Sequence, residues 1–336
     1  MISRRAFGKA VGAEAVAASL PAFPVAAAAG PAVASGLGPV RHVRTDLLDL
    51  AHHEVGPAGG DVVLLGNGRP CSPHVCAEVA LAPARRGFRV LVPYLRGHGA
   101  TSFSDATTMR SGRQAALGAD LIAFLDALGA ESSVFGGDDW GGRALDVAAV
   151  RWPRRCHALV SVNRYLIQNP DPDVLASSPD APGTESAHWY FSFFLTERGR
   201  TALSRSRRDL AEVVWRRNSP QWRFTSADLD IAAAAMDNPD YGDVVIHNYR
   251  VRQGAAPGDP RYAGLEARLP TQPPVTVPAV TLDGLAGGSS PATDGTASAN
   301  HFTGPRVHYR VPGTGHNLSQ EKPRAFMAAV LEAVRL

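Results

Sequence analysis

Short apolar runs alternate with longer amphipathic segments along most of this 336-residue chain, and no other feature restricts its fold as strongly. The short runs have the length of buried strands, whereas the longer segments carry apolar residues at helical spacing. The strand-like runs are DVVLLG (61–66), FRVLVP (88–93), SVFGG (133–137), HALVSVN (157–163), VPAVTLDG (277–284) and RVHYRV (306–311). The helix-like segments cover 73–87, 115–130 and 141–152, and a last one ends the chain. Strands alternating with helices predict right-handed crossovers and a mostly parallel sheet, so we expect an α/β fold.

The alternation is interrupted between about residue 165 and residue 270. Two long segments there look helical, HWYFSFFLTERGRTALSRSRRDLAEVVW (188–215) and SADLDIAAAAMDN (226–238), and no strong strand pattern separates them. A stretch of this length is too long for one crossover loop. We therefore predict a helical cap at 165–270, inserted between two strands of a core formed by 35–164 and 271–336.

A glycine-rich turn joins the strand-like run at 133–137 to the helix-like segment after it. Gly137, Asp139 and Gly141 form the pattern G-x-D-x-G. In a strand–turn–helix elbow the central residue adopts a strained backbone conformation, so the residues two positions before and after it must be small. The pattern places Asp139 at the tip of the turn, where the dipole of the following helix keeps a carboxylate ionised. Asp139 is therefore a candidate nucleophile.

A nucleophile requires a base, and the segment VPGTGHNLSQEKP (311–323) offers His316. This histidine follows the last predicted strand in a glycine-rich loop. Because the carboxyl ends of parallel strands meet at one edge of a sheet, His316 is expected at the same edge as Asp139.

Charge and cysteine content exclude several classes of function. The formal net charge is +3 and comes almost entirely from arginine, since Lys9 and Lys322 are the only lysines. A charge so small and so scattered does not predict a nucleic-acid partner. The three cysteines, Cys71, Cys76 and Cys156, neither form a disulfide framework nor show the paired spacing of a zinc site. We expect buried thiols and no metal.

The first 34 residues predict an export signal. The segment SRRAFGK (3–9) is similar to a twin-arginine motif, and small residues that suit cleavage follow an apolar run. Glu14, Pro21 and Pro24 argue against a membrane span, and no cysteine follows to carry a lipid anchor. We expect residues 1–34 to direct export to the periplasm or the medium, with a cytoplasmic protein as the alternative if the leader does not function.

Four motifs together resemble those of the α/β-hydrolases, in particular the group of epoxide hydrolases and haloalkane dehalogenases that use an aspartate nucleophile. They are NGRP (67–70) where the family has H-G-x-P, YLRGHGATS (94–102), GGDDWGG (136–142) where it has G-H-D-W-G-G, and GTGHNLSQEKP (313–323). The similarity extends over nearly all of the chain after residue 45. It implies the α/β-hydrolase fold, with helices on both faces of the sheet and a helical lid after the strand that follows the elbow helix.

The resemblance also implies a mechanism. Asp139 would attack a carbon atom of the substrate and form an alkyl-enzyme ester, and His316 would activate water to hydrolyse that ester. The backbone N–H groups of Arg69 and Trp140 would form the oxyanion hole. No cofactor is implied, the expected substrate is a small apolar organic molecule, and the oligomeric state cannot be inferred.

The lid favours epoxide hydrolysis over the alternatives. Epoxide hydrolases use two lid tyrosines to donate hydrogen bonds to the epoxide oxygen, and the resemblance assigns these roles to Tyr190 in HWYFSFF and Tyr249 in HNYRVR. A haloalkane dehalogenase would instead need N–H donors for halide, for which Trp140 and Asn163 are the candidates.

Three positions depart from the family pattern. Asn67 and Asp138 stand where histidines are usual, and Gly287 occupies the place of the acid that should orient His316. Asp294, Asp283 or Asn163 could support His316 instead. These departures keep a third possibility open, a protein of this fold that binds an apolar ligand with impaired turnover.

Overall fold

The computed structural model describes residues 36–169, 182–289 and 293–336. The expected export signal at 1–34 lies outside the described residues and stays a prediction. Nine strands form one sheet in the described part of the chain. They are β1 (Arg41–Arg44), β2 (Leu48–Val55), β3 (Val62–Gly66), β4 (Arg89–Pro93), β5 (Ser102–Phe103), β6 (Ser133–Gly137), β7 (Cys156–Val162), β8 (Ala279–Gly284) and β9 (Arg306–Val311).

The sheet is parallel except at one edge. Its strand order is β1-β2-β4-β3-β6-β7-β8-β9, with β5 paired to β2. Neighbouring strands from β4 to β9 are parallel, which confirms the expected mostly parallel sheet, whereas β2 is antiparallel to β1, β4 and β5. These three added strands were not predicted. β2 was missed because two of its buried residues, His52 and His53, are polar, whereas the pattern of a buried strand consists of apolar residues.

Helices cover both faces of the sheet. The α-helices of the described residues are α1 (Ala77–Ala84), α2 (Gln114–Ala127), α3 (Asp139–Arg151), α4 (Pro182–Ala187), α5 (Trp189–Phe193), α6 (Glu197–Arg205), α7 (Arg207–Asn218), α8 (Ser226–Ala235), α9 (Tyr241–Arg252), α10 (Ala263–Glu266), α11 (Leu318–Glu321) and α12 (Pro323–Ala333). Val63 and Leu65 of β3 pack in the layer of α1 and α12, whereas Leu64 packs in the layer of α2 and α3. Because successive side chains of a strand point to opposite faces, one short apolar run fills both layers.

Two predicted helices are divided in the structure. The segment at 73–87 begins with a 3₁₀ turn, Pro73–Cys76, continues as α1 and stops before Gly87, whose φ of +92° does not fit a right-handed helix. The final helix is interrupted at Lys322, because Pro323 begins α12 and proline suits the first position of a helix.

Helices α4 to α10 lie between β7 and β8, in the region where the alternation breaks. They form an apolar cluster of their own, in which Trp215 of α7 and Tyr241 and Tyr249 of α9 are buried. The boundaries of the cap at 165 and 270 stay a prediction. No helix in the described residues combines the length and the apolar character needed to cross a membrane.

Candidate active site

Asp139 occupies the turn between β6 and α3. Its φ is +47°, an unusual value for a residue with a side chain, and α3 begins at this residue. The neighbouring glycines allow close approach: a Cβ atom on Gly141 would lie 2.4 Å from the carbonyl carbon of Gly66, and one on Gly68 would lie 2.3 Å from the Cβ of Asp139. The glycines of the motif are therefore required by space around the turn.

Backbone N–H groups and a histidine surround the Asp139 carboxylate. The N–H of Arg69 donates to Oδ1 at 2.8 Å, and the N–H of Trp140 also bonds the carboxylate. Burial alone would raise the pKa of Asp139, but the hydrogen bond and charge of His316, together with these N–H groups, hold that pKa below its ordinary value. Asp139 is thus kept as a carboxylate, which is the form a nucleophile needs.

His316 lies in the loop between β9 and α11, at the same edge of the sheet as the elbow. Its Nε2 is 3.3 Å from Oδ2 of Asp139. Burial opposes the charged imidazolium, but the hydrogen bond to Asp139 and the charges of Asp139, Asp138 and Glu321 raise the pKa of His316 above its ordinary value. The structure brings together the two residues that the sequence paired, although 177 positions separate them.

The group opposite Nδ1 of His316 is Asn163, not a carboxylate. Nδ2 of Asn163 lies 3.3 Å from this nitrogen and 3.3 Å from the carbonyl oxygen of His316. Asp283 instead accepts from the backbone N–H of Thr293 at 3.0 Å, and exposed Asp294 accepts from that of Thr296 at 2.9 Å. Asn163, the third suggested support, is thus the one that bonds His316, whereas Asp283 and Asp294 bond threonines. The role of each in supporting His316 stays a prediction.

The amide of Asn163 favours one tautomer of His316. The carbonyl oxygen of His316 can only accept, so the amide nitrogen must face the histidine. A donor opposite Nδ1 leaves the proton of the neutral ring on Nε2, where it is directed at Asp139. A general base acting through Nε2 requires the opposite tautomer, so this arrangement weakens His316 as a base.

Asp138 is buried beside the nucleophile and points away from the turn. Ser319 donates its hydroxyl to Oδ2 of Asp138, whereas Oδ1 has no partner among the described residues. Burial, offset in part by Ser319 and reinforced by the charge of Asp139, raises the pKa of Asp138 to about 6. The two adjacent aspartates are thus different chemically, since one is held ionised and the other is driven toward its neutral form.

A narrow cavity of about 40 Å³ lies beside Asp139. Tyr190 and Tyr249 line it, with ring centroids 5.9 Å apart and planes at 87°. Burial and the charge of Asp139 raise the pKa of Tyr249 to about 12 and that of Tyr190 further still, so both remain protonated. The predicted lid tyrosines therefore share one cavity with the predicted nucleophile.

Each tyrosine oxygen already takes part in a hydrogen bond. The side chain of Asn218 bonds Tyr190, and the side chain of Trp140 bonds Tyr249. The indole N–H of Trp140 can only donate, so the Tyr249 oxygen is its acceptor. The Tyr249 hydroxyl proton is consequently available to an acceptor in the cavity, and an amide N–H from Asn218 would leave Tyr190 equally available.

Three contributors to the cavity were missed or misjudged by the sequence. Tyr241, which begins α9, and Asn218, which ends α7, both line it, and the sequence assigned neither a role. Arg69 was assigned a role through its backbone alone, whereas its guanidinium also lies near the cavity residues Tyr241 and Tyr249. No local pattern distinguishes such residues, because only the packing of α7 and α9 on the core directs them inward.

The cap is joined to the loops that carry the site. Trp215 of α7 donates its indole N–H to the carbonyl oxygen of Pro70 at 2.9 Å, and the N–H of His316 donates to the carbonyl oxygen of Asn218 at 3.1 Å. The cap is therefore positioned by both the Arg69 loop and the His316 loop. Within the described residues, no group of three or more His, Cys, Asp or Glu side chains could hold a metal ion.

Comparisons with known proteins agree with this geometry. The family model for the alpha/beta hydrolase fold matches residues 61–323. The crystal structure of a candidate epoxide hydrolase from Klebsiella pneumoniae superposes with a TM-score of 0.85 and 39% sequence identity, covering 88% of this chain and 97% of that one. The chain is thus similar to that protein over nearly its whole length.

Curated relatives match over shorter segments. Bifunctional epoxide hydrolase 2 of Mus musculus is 33% identical over 122 residues, which are 36% of this chain and 22% of that protein. Epoxide hydrolase A of Mycobacterium tuberculosis is 37% identical over 101 residues, 30% of this chain and 31% of that protein. The chain thus spans less than a third of the length of the curated relatives it matches here. The sheet topology, the elbow and the match over 61–323 together establish that the chain belongs to the α/β-hydrolase fold family.

Proposed function

We propose that this protein is an epoxide hydrolase that acts through an ester on Asp139 and releases a diol. The observation that carries the proposal is a single cavity lined by an ionised Asp139 on one side and the hydroxyl groups of Tyr190 and Tyr249 on the other. Relatives named as epoxide hydrolases support the reaction class.

The first step opens the epoxide. Oδ2 of Asp139 attacks an epoxide carbon, the carbon–oxygen bond breaks, and the electron pair of that bond passes to the epoxide oxygen. Tyr190 and Tyr249 donate hydrogen bonds to the developing alkoxide, and one of them supplies the proton. Oδ1 stays bound to the N–H of Arg69 and becomes the carbonyl oxygen of the new ester.

The second step hydrolyses the ester. Water attacks Cγ of Asp139 and gives up a proton to Nε2 of His316. The N–H groups of Arg69 and Trp140 stabilise the negative charge on the former Oδ1. Collapse of the tetrahedral intermediate breaks the ester bond between Cγ and the diol oxygen, and the leaving alkoxide takes the proton of the new Cγ–OH group, so that Asp139 returns to a carboxylate. The proton on His316 returns to the tyrosinate. The balance is one epoxide and one water consumed for one diol formed.

The arrangement gives less support to haloalkane dehalogenation. The donors that would be needed for halide are already engaged, since Trp140 bonds Tyr249 and Asn163 bonds His316. Neither Trp140 nor Asn163 is among the residues that line the cavity. The third possibility, binding without turnover, is separated from epoxide hydrolysis by experiment.

The test traps the ester. A His316→Gln variant incubated with styrene oxide and then digested should carry the mass of one substrate on the Asp139 peptide, because the ester forms but is not released. The matched control is His308→Gln, which changes a half-buried histidine that bonds Thr281 outside the cavity and should turn over normally.

Three outcomes are informative. An adduct in His316→Gln that disappears in the Asp139→Asn/His316→Gln double variant supports the proposal. Absence of adduct and of diol across a panel of terminal and internal epoxides contradicts it. Halide release from short haloalkanes without diol from any epoxide would assign the site to dehalogenation instead.

A further inference from the structure

The guanidinium of Arg69 is buried and makes no hydrogen bond within the described residues. Its Nε, Nη1 and Nη2 atoms are all inaccessible to solvent, and none has a hydrogen-bond acceptor among the described residues. Arg69 lines the cavity that contains Asp139, and its guanidinium lies near two other lining residues, Tyr241 and Tyr249. Its polar contact to the nucleophile is made by the backbone N–H, which leaves all five N–H bonds of the guanidinium free.

The groups around this guanidinium do not neutralise it. Asp139 attracts it at longer range, and Tyr241 and Tyr249 are neutral. Trp140 offers the face of its ring at 5.5 Å, but a second cation, Arg143, lies over the same ring at 4.7 Å. The Arg69 guanidinium therefore lies beside the nucleophile with its hydrogen bonds unmade among the described residues.

Arg207, the other arginine that lines the cavity, differs from Arg69 in its partner and in its exposure to solvent. Arg207 forms an ion pair with Asp237 and is half-exposed, so its charge is balanced by the protein and by solvent. A buried cation is expensive unless an anion pairs with it and accepts its hydrogen bonds. In the part of the chain that the structure describes, Arg69 has no such anion, and it lies beside the cavity that contains Asp139.

We propose that the site takes epoxides that carry a carboxylate, and that the Arg69 guanidinium binds this carboxylate while Asp139 attacks the ring. The inference rests on the proposed function and revises the expectation of an apolar substrate. A planar guanidinium matches a carboxylate with two parallel hydrogen bonds, which also fixes the orientation of the bound molecule. The backbone N–H of Arg69 bonds Oδ1 of Asp139, so the guanidinium and the nucleophile are separated by the length of one arginine side chain. The carboxylate of the substrate and the epoxide carbon that Asp139 attacks must therefore be close to each other. A short oxirane carboxylate meets this requirement.

The first experiment measures binding without any reaction. Cyclopropanecarboxylate has the shape of an oxirane carboxylate but no epoxide, and cyclopropanecarboxamide is its neutral counterpart. Calorimetry on the unchanged protein should give a Kd at least about tenfold lower for the carboxylate. Equal affinities for the two compounds would overturn the proposal, whatever any variant does.

Variants test whether Arg69 is responsible for the preference for the carboxylate over the carboxamide. Arg69→Met should abolish the difference between the two compounds, and Arg69→Lys should retain part of it because the charge remains. Arg207→Met is the matched control, since it removes a cation from the same lining that is already paired, and the preference should persist. Loss of the preference in Arg207→Met with retention in Arg69→Met would place the anion elsewhere and overturn the assignment. If Arg69→Met does not fold, Arg69→Lys still tests the assignment, because a preference as large as that of the unchanged protein would contradict it.

Turnover separates this inference from the proposed function. Glycidate and glycidamide differ only in charge at the carboxyl position, and kcat/KM should favour glycidate by at least about tenfold. Hydrolysis of styrene oxide and glycidamide without preference for glycidate overturns the carboxylate inference and leaves epoxide hydrolysis standing. Arg69-dependent binding of cyclopropanecarboxylate without hydrolysis of any epoxide supports the anion site and rejects the proposed reaction.

Discussion

Two buried arginines near the sheet edge illustrate opposite uses of the same side chain. Arg96 is 1% exposed, and its Nε and Nη2 atoms each donate to a carboxylate oxygen of Asp120 at 2.6 Å. It also donates to the carbonyl oxygen of Ser111 at 3.0 Å and to the hydroxyl of Tyr262 at 2.8 Å. Arg69 has no acceptor among the described residues.

The difference separates a structural cation from a binding one. Four of the five N–H bonds of Arg96 have acceptors, and they link the loop after β4 to α2 and to Tyr262 before α10. The Arg69 guanidinium lies beside the cavity with its hydrogen bonds unmade among the described residues. The residue type is the same and the guanidinium nitrogens are buried in both regions, so the presence of partners, and not burial of the charge, is what indicates function.

The largest effect is expected on the free energy of unfolding, when each of the two arginines is replaced by methionine. Arg96→Met leaves Asp120 buried without its partner and should lower the free energy of unfolding by about 3–5 kcal/mol. Arg69→Met leaves no partner unpaired and should keep that free energy unchanged or raise it by up to about 2 kcal/mol. Urea unfolding of the two variants measures both values.

A second substitution serves as the control for this pair. Arg96→Met/Asp120→Leu removes both charges and should recover much of the stability lost in Arg96→Met. If Arg69→Met loses as much stability as Arg96→Met, then Arg69 has a structural partner and the contrast between the two arginines fails.

The next largest effect is expected on the rate of ester hydrolysis, when Asn163, whose amide faces His316, is replaced. Asn163→Asp replaces a donor opposite Nδ1 with a carboxylate that accepts its proton and stabilises the imidazolium, so the rate of ester hydrolysis should rise by about 10- to 100-fold. Single-turnover measurements that follow decay of the Asp139 ester report this step. Asp294→Asn is the control and should leave the rate unchanged; a comparable gain there would return the role of the acid to that loop.

The smallest effect is expected on the pH dependence of stability, when Asp138 is replaced. Its pKa is raised to about 6, so the folded state holds a proton that the unfolded state, near 3.8, has released, and this group lowers stability as pH rises from about 4 to 6. Asp138→Asn keeps an acceptor for Ser319 and removes this cost. The variant should gain about 1–2 kcal/mol over the parent protein at pH 8 and almost nothing at pH 4. Thermal unfolding at the two pH values checks the prediction, and an equal gain at both would show that ionisation of Asp138 is not the cause.

Local patterns were sufficient for the parallel strands, the cap and the elbow. The runs at 61–66 and 133–137 became β3 and β6 within one residue of their predicted bounds. The glycines around Asp139 indicated a tight turn because only a residue without a side chain fits there. β2 was not predicted because it contains His52 and His53. That two adjacent histidines are buried in a strand becomes clear only when the neighbouring strands are known.

The sequence by itself determined the fold class and the pairing of Asp139 with His316, because strand order along a parallel sheet brings the ends of its strands to one edge. Only the tertiary structure decided which groups find partners. Asn163 meets His316 across 153 positions, Arg96 meets Tyr262 across 166, and Arg69 meets no acceptor among the described residues. The physical reason is that a hydrogen bond depends on the positions of two atoms to within a fraction of an ångström, and no local pattern specifies positions between segments so far apart.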